Sequence, residues 1–425
     1  MEPIGSRPKI FVKRVDAESE SLLFDIAQLR NLLSPGSAIQ HHVEQFEVLA
    51  TRILVDEIDS LYDSDRWPDL DRSTFKSVIV SLLASNWVVL RQVALQRAPG
   101  NPYLNVLQSL DDKSEEDYER LRQALEDVSG LKNISNSPPL VYLGPIARLF
   151  VFDEKGPCVI STPFGVVNQQ NALAQTLSTQ TIPHEVAHAI FEEIPDLLDE
   201  LKLRISIDNR PSAIEPTKKQ RAIDSVIFNW LNEIIADMAG TALEGEAFAR
   251  SAAIIMTVPE KIIARADQTH PAPLLRPYIH AQVLKKLFSD AAPSFYKSLD
   301  KSTSKYQNQP YEGLPAFIDV SLEELLTCLV EIVDRIWDTE LKTLGGSTLG
   351  KVLTAAAHKK VSKRVIDELP KWGDPEENQK PEDEVLRLLG PIDLVSPLPS
   401  PQLFESEVCC WVGAQTCCPH TLTVS

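Results

Sequence analysis

The sequence predicts a mainly α protein with a small mixed β-sheet, which places it in the α+β class. Apolar residues recur at helical spacing over most of the chain, whereas β-prone runs are confined to residues 140–168. No repeat of solenoid period is visible. Hydrophobic residues make up 43% and charged residues 24% of the 425 positions, so the composition is that of a globular protein rather than a disordered one.

The first predicted region, residues 1–135, is helical. Helical periods run through residues 22–32 and 43–58, through the apolar stretch 77–95, and through the charged, amphipathic stretch 111–128. Proline–glycine pairs separate several of these stretches, as expected for connections between helices.

The pattern changes after residue 139. Residues 140–143, 147–152 and 158–161 form short β-prone runs separated by Gly-Pro pairs. We therefore predict a small sheet at the start of a second region, residues 136–290, which continues with helical signals. A helical C-terminal region, residues 291–390, follows it.

The last predicted segment, residues 391–425, begins with four prolines between residues 391 and 401. Such a stretch predicts a polyproline or disordered linker, followed here by a cysteine-rich tail. Four of the six cysteines lie in that tail, so the sequence does not indicate a disulfide framework through the fold. We expect a reduced, cytoplasmic protein.

The charge balance bears on the partners of the chain. The chain has 42 Lys and Arg residues and 60 Asp and Glu residues, which gives a net charge of −18 at pH 7. Nucleic acid and anionic membrane surfaces should repel such a chain, so we expect no nucleic-acid partner. The N-terminal residues lack the apolar core of a secretory signal. The longest uncharged apolar stretch, residues 77–90, is too short for a bilayer, so we expect no membrane span.

The most informative motif is His184-Glu185-Val186-Ala187-His188. Residues four apart share one face of a helix, so both imidazoles can bind one zinc ion, with the glutamate beside them. The alternative is a pair of histidines on an ordinary core or surface helix. Because Pro183 precedes the motif, the helix must either begin near Thr181 or bend just before the histidines.

A second candidate helix, residues 220–244, carries a long apolar stripe of 3.6-residue period. Glu233 and Asp237 lie one turn apart at the edge of that stripe. Carboxylates beside a buried face are costly unless they are paired or bind metal. A solvated helix face explains one of them easily and the pair less well.

The HExxH motif at residues 184–188 and the NExxxD motif at residues 232–237 together resemble the gluzincin zinc metallopeptidases, the thermolysin-like clan. The resemblance implies a zincin-type catalytic core, flanked here by helical segments. It also implies that one Zn²⁺ ion is held by His184, His188 and Glu233. The implied activity is zinc-dependent hydrolysis of a peptide or protein substrate.

The same resemblance implies roles for two further residues. Glu185 would polarise a water molecule at the metal and act as the general base. Asp237 would orient the imidazole of His184.

A third motif, Thr269-His270-Pro271 with Arg276 beyond it, resembles the Thr-His-Pro segment of the HtpX-like and CAAX-protease-like gluzincins. Those relatives are membrane proteins, whereas we expect a soluble chain here. The resemblance implies that His270 donates a hydrogen bond to the oxyanion and that Arg276 is an orienting group. The alternative is a turn at the start of a helix, whose histidine only caps or packs.

The resemblance also implies a place for the substrate. Residues 158–168 would form the edge strand that lies antiparallel to a bound peptide. Strand addition supplies main-chain hydrogen bonds without requiring particular side chains.

A second class of function remains open on the sequence alone. The zinc site could stabilise a non-catalytic binding or regulatory module. Glu185 argues against this alternative, since a structural zinc ion needs no general base and usually has four protein ligands. His41 and His42 form a doublet on a predicted helix and are expected to lie at the surface, and His280 and His358 are expected to be structural or exposed.

Overall fold

The structure of the chain is a computed structural model. It describes residues 9–62, 71–134, 137–144, 148–151, 158–163, 179, 181–205, 217–255, 269–288 and 320–357. The predicted linker and tail, residues 391–425, lie outside the described residues, as does His358. The described residues are mostly helical, with one three-stranded and one two-stranded sheet, which confirms the predicted fold class.

The N-terminal helices form a first core, to which Leu140, Tyr142 and Val159 of the following region also belong. They are α1 (Lys9–Leu32), α2 (Ala38–Thr51) with a π-helical turn after it (Arg52–Glu57), α3 (Ile58–Leu61) and α4 (Arg72–Gln96). Ser37 and Asp71 begin α2 and α4 as N-caps, since each side chain accepts a hydrogen bond from a main-chain N–H of the first turn. Phe46 and Trp87 stack inside this core, with ring centroids 6.0 Å apart.

Helix α4 is longer than the uncharged stretch that the sequence suggested. By length and composition alone it is able to cross a membrane. A core helix of a soluble protein has the same properties, and one side of α4 is buried against α1 and α2. The absence of a membrane span therefore stays a prediction.

Helix α5 (Leu104–Ser129) leads into the small mixed sheet. The strands are β1 (Leu140–Gly144), β2 (Arg148–Val151) and β3 (Cys158–Pro163), close to the three predicted runs. Their order is β1-β3-β2, with β3 parallel to β1 and antiparallel to β2.

The strand order corrects one prediction. Residues 158–163 were expected to form an edge strand, but β3 is the central strand and pairs on both sides. Its main chain is therefore already engaged in the sheet, and it cannot add a substrate strand. Residues 164–168 of that predicted strand lie outside the described residues.

The outer edge of β1 is closed by side chains. The main-chain N–H of Val141 donates to Asp111 Oδ1 at 2.8 Å, and its carbonyl oxygen accepts from Arg97 Nη2 at 2.7 Å. Gln96 bonds both the N–H and the carbonyl oxygen of Leu143, each at 2.8 Å. Side chains thus satisfy main-chain groups that an edge strand otherwise exposes.

The remaining elements build a second, larger core. They are α6 (Ile182–Glu192), α7 (Leu197–Ile205), α8 (Lys218–Asn229), α9 (Leu231–Glu244), α10 (Glu246–Ile255), α11 (Arg276–Leu287), α12 (Leu322–Asp338), β4 (Glu340–Leu341), β5 (Ser347–Thr348) and α13 (Leu349–Ala356). Helix α9 packs against α6, α11 and α13. The single helix predicted over residues 220–244 is therefore two helices, α8 and α9, which meet at Trp230.

This larger core draws on three predicted regions. Buried residues of α5, α12 and α13 belong to the same cluster as those of α6 and α9. The helices that carry the candidate site thus share a core with segments that precede and follow residues 136–290 in the sequence.

Candidate metal centre

Helix α6 presents the two histidines of the HExxH motif. The helix begins at Ile182, and Pro183 lies in its first turn, where the missing N–H has no partner to lose. This is the first of the two predicted arrangements. The imidazoles of His184 and His188 meet edge to face with centroids 4.6 Å apart, and their Nε2 atoms are 3.1 Å apart.

Helix α9 supplies the carboxylate. Glu233 places Oε2 at 3.3 Å from His184 Nε2 and Oε1 at 3.3 Å from His188 Nε2. The three side chains are largely buried. The sequence predicted these three residues as one set of ligands, and the structure brings them together.

The spacing of these atoms fits a metal ion. Zinc bonds to histidine nitrogen and carboxylate oxygen are about 2.0–2.2 Å long, so two ligands of a tetrahedral ion lie about 3.3 Å apart. The Nε2 atoms of His184 and His188 are 3.1 Å apart, close to that edge. Each also lies 3.3 Å from a Glu233 oxygen, but His184 faces Oε2 and His188 faces Oε1, so these two distances do not end on one ligand atom. One donor atom from each of the three residues lies within 4.8 Å of the other two. The group of His184, His188 and Glu233 could therefore hold a metal ion. Imidazole and carboxylate donors suit several divalent metals, so the geometry alone does not select one.

Asp237 and Arg276 stand behind the first histidine. Asp237 is fully buried, and its Oδ1 lies 3.0 Å from His184 Nδ1. Arg276 donates two hydrogen bonds of 2.7 Å to the two oxygens of the same carboxylate. Since Asp237 engages Nδ1, the Nε2 atom of His184 is left to face the other ligands.

Arg276 was expected to be an orienting group, and its bidentate contact is with Asp237. The guanidinium also lies 3.6 Å from Glu233 Oε2 and 3.5 Å from His184 Nδ1. It therefore touches both carboxylates of the NExxxD motif.

The electrostatics keep both carboxylates ionised. Burial works against the charged form of Glu233, but hydrogen bonds from His184 and His188 hold its pKa far below the usual range. Burial also opposes ionisation of Asp237, and the Arg276 guanidinium lowers its pKa. Although burial disfavours a charged imidazole, the hydrogen bonds to Asp237 and Glu233 raise the pKa of His184 to about 10. A proton and a metal ion therefore compete for this imidazole.

Glu185 and His270 complete the predicted set. Glu185 is half-buried on α6 next to His184. Burial opposes the charged form of Arg276, but Asp237, Glu233 and, least of the three, Glu185 raise its pKa. His270 is half-exposed, and its Nε2 lies 3.5 Å from Glu233 Oε1. The structure thus brings His270 to the candidate ligands, on the solvent side of the group.

Two residues near the site were not predicted from the sequence. His280 was expected to be structural or exposed, and it is fully buried beside Thr241, with 2.9 Å between Nδ1 and the hydroxyl oxygen. Thr241 lies one helical turn beyond Asp237, and His280 lies one helical turn beyond Arg276. This four-residue spacing is the feature of the sequence from which they could have been predicted.

One other histidine also differs from expectation. His42 is buried in the N-terminal core, where its Nδ1 lies 3.0 Å from the carbonyl oxygen of Ala38. Burial lowers the pKa of His42 to about 4. It is therefore a neutral core residue and not a surface one.

Comparisons with models of known protein families, with curated proteins and with solved structures found no match. The class of the protein is therefore argued from the motifs and from the geometry of the site.

Proposed function

We propose that this chain is a zinc-dependent peptidase of the gluzincin type. The observation that carries the proposal is the convergence of His184, His188 and Glu233, whose possible ligand atoms all lie within 4.8 Å of one another. Asp237 behind His184 adds the carboxylate–histidine pair that often supports a metal ligand. The peptide or protein substrate is proposed from the resemblance of the motifs.

The donor set favours a catalytic ion over a structural one. Two imidazoles and one glutamate are a donor set found in catalytic zinc sites, whereas structural sites usually have four cysteine or histidine ligands. Among the described residues, the group that could hold a metal consists of three side chains. Three ligands leave one tetrahedral position for water or substrate.

Each residue of the site takes a defined part in the reaction. A bound zinc ion supplies Lewis acidity at the scissile carbonyl and makes water a stronger acid. Glu185 removes a proton from the attacking water and delivers it to the leaving amine. His270 donates a hydrogen bond to the oxygen on which negative charge develops. Arg276 and Asp237 keep the His184 ring fixed throughout.

The test combines metal analysis with cleavage of a peptide library by the purified protein. We expect one zinc ion per chain and cleavage that depends on it, with Glu185→Gln retaining the zinc but not the cleavage. Zinc binding without cleavage of any peptide would instead favour a metal-stabilised binding module. A hydroxamate chelator separates the two directly, since it binds the zinc-loaded protein only when a coordination position is open.

A further inference from the structure

Two polar pairs, one helical turn apart, join α9 to α11. In the first pair, Asp237 of α9 accepts from Arg276 of α11. In the second, Thr241 of α9 contacts His280 of α11 at 2.9 Å. Both steps along the helices are four residues, so the two pairs form successive rungs between the same two helix faces.

The second rung is tied to the main chain of the first. The Thr241 hydroxyl donates to the carbonyl oxygen of Asp237 at 2.7 Å. A hydroxyl has one hydrogen, so towards His280 it acts as the acceptor, and Nδ1 of that ring carries the proton. Thr241 therefore links His280 to the main chain of Asp237, the residue that orients His184.

The Thr241–His280 pair is enclosed by the protein. Thr241 and His280 are both fully buried. The Phe248 ring packs edge to face on the imidazole with centroids 5.2 Å apart, and it fits against Gly240, where a Cβ would meet the ring at 2.5 Å. Burial lowers the pKa of His280 to about 4, so the ring is neutral. Burying a polar ring costs free energy unless hydrogen bonds compensate for the lost contact with water.

We propose that His280 and Thr241 are positioning residues of the metal site, which hold α11 in register with α9 so that Arg276 and Asp237 orient His184. This inference rests on the metal site proposed above. Without the Thr241–His280 pair, the Asp237–Arg276 pair would have to hold α11 against α9 by itself at this place. The Arg276 guanidinium would then be less constrained on Asp237, and the His184 ring would lose its fixed direction.

The test is the zinc affinity of the full chain, measured by competition with a chromophoric chelator. His280→Leu and Thr241→Val each remove one partner of the rung at similar volume. His280→Asn and Thr241→Ser keep a donor or a hydroxyl at the same place. The matched control is His42→Leu, because His42 is another buried neutral histidine with one ring nitrogen near a main-chain oxygen, and it belongs to the N-terminal core.

We expect His280→Leu and Thr241→Val each to weaken zinc binding about tenfold, as for outer partners of metal ligands. The double variant should lose no more than either single one, because both changes break the same rung. His280→Asn and Thr241→Ser should bind zinc within about threefold of the wild type, and His42→Leu should bind it unchanged. The cobalt-loaded His280→Leu protein should show shifted visible absorption bands.

Unchanged zinc affinity in both Thr241→Val and His280→Leu would overturn the proposal while the metal site itself stood. An equal loss in His42→Leu would also overturn it, since the effect would then be general destabilisation. If His280→Leu fails to fold, as judged by circular dichroism, Thr241→Val decides alone. A wild-type protein that binds no zinc would overturn the positioning role together with the proposed function.

Discussion

Helix α9 carries a charged cluster at each end, and the two clusters are built differently. Near its start, Glu233 and Asp237 meet two histidines and Arg276 in the candidate metal centre. At its last residue, Glu244 meets Lys113, Asp117 and Arg120 of α5, which we call the salt-bridge cluster.

The charged groups of the salt-bridge cluster are paired with one another. Two cations meet two carboxylates, with Lys113 Nζ 2.6 Å from Asp117 Oδ2. Arg120 Nη2 also donates to the carbonyl oxygens of Leu243 and Ala356, each at 2.9 Å. Its charges are therefore balanced, and its donors point at protein acceptors.

The metal centre is not balanced in this way. Its one arginine is engaged bidentately by Asp237, and Glu233 faces two imidazoles whose Nε2 atoms converge on its oxygens. In the metal-free protein a proton on His184 offsets part of this negative charge, since the pKa of this imidazole is raised to about 10. A metal ion would replace that proton, and the imidazoles would then bring electron pairs rather than charges. The comparison teaches that nitrogen donors able to exchange a proton for a metal ion distinguish a candidate metal centre from an equally buried network of salt bridges.

The largest effect on turnover is expected for Glu185→Gln. The variant keeps the shape of the side chain but cannot accept the proton, so hydrolysis should fall by at least about two orders of magnitude. Zinc content should be unchanged. Steady-state cleavage of the best library peptide, with metal analysis of the same sample, makes the measurement. Glu244→Gln, in the salt-bridge cluster, should leave turnover per folded molecule unaltered, and near-normal hydrolysis by Glu185→Gln would rule out the mechanism.

His270→Ala should come next. Loss of one hydrogen bond to a developing oxyanion lowers kcat by about 10²–10³-fold, with KM little changed. The zinc content of the variant should equal that of the wild type, and His41→Ala provides an exposed histidine as control. Loss of zinc would indicate that His270 is a ligand. An unchanged kcat would favour the alternative that His270 only caps or packs in a turn at the start of a helix.

A matched pair of aspartates tests the comparison itself. Asp237 and Asp117 are both fully buried beside an arginine. Replacing Asp237 by alanine removes the bidentate partner of Arg276 and should lower the free energy of unfolding of the metal-free protein by about 3–5 kcal/mol. Asp117→Ala should also destabilise the protein, but by less, because Lys113 and Arg120 keep Glu244 as a partner. Only Asp237→Ala should also weaken zinc binding, by about 10- to 100-fold.

Urea unfolding and chelator competition measure the two effects separately. If Asp117→Ala weakens zinc binding as much as Asp237→Ala does, the two clusters are one coupled network and the distinction between them fails.

Much of the metal centre could be predicted because its residues follow local spacing. His184 and His188, and likewise Glu233 and Asp237, lie four apart on helices whose apolar stripes fix which side faces the core. The position of Pro183 in the first turn of the helix could also be predicted from local sequence, since proline is favoured there.

What could not be predicted depends on contacts between distant segments. The four-residue spacing singles out Thr241 and His280 separately, but they are 39 residues apart, and no local pattern says that their helices meet and pair them. Strand order is hidden for the same reason, since a short apolar run looks alike in a central and an edge strand. The prediction that placed residues 158–163 at the edge failed there.

The most direct test of the account is a zinc titration of the metal-free protein in competition with a chromophoric chelator, run in parallel on wild type, Glu233→Ala and Glu244→Ala. We predict one tight site per chain in the wild type and in Glu244→Ala. In Glu233→Ala, which loses a ligand rather than a supporting contact, affinity should fall by more than about 100-fold. A wild type without a tight site, or a Glu233→Ala protein that binds zinc as the wild type does, would contradict the assignment of the metal centre.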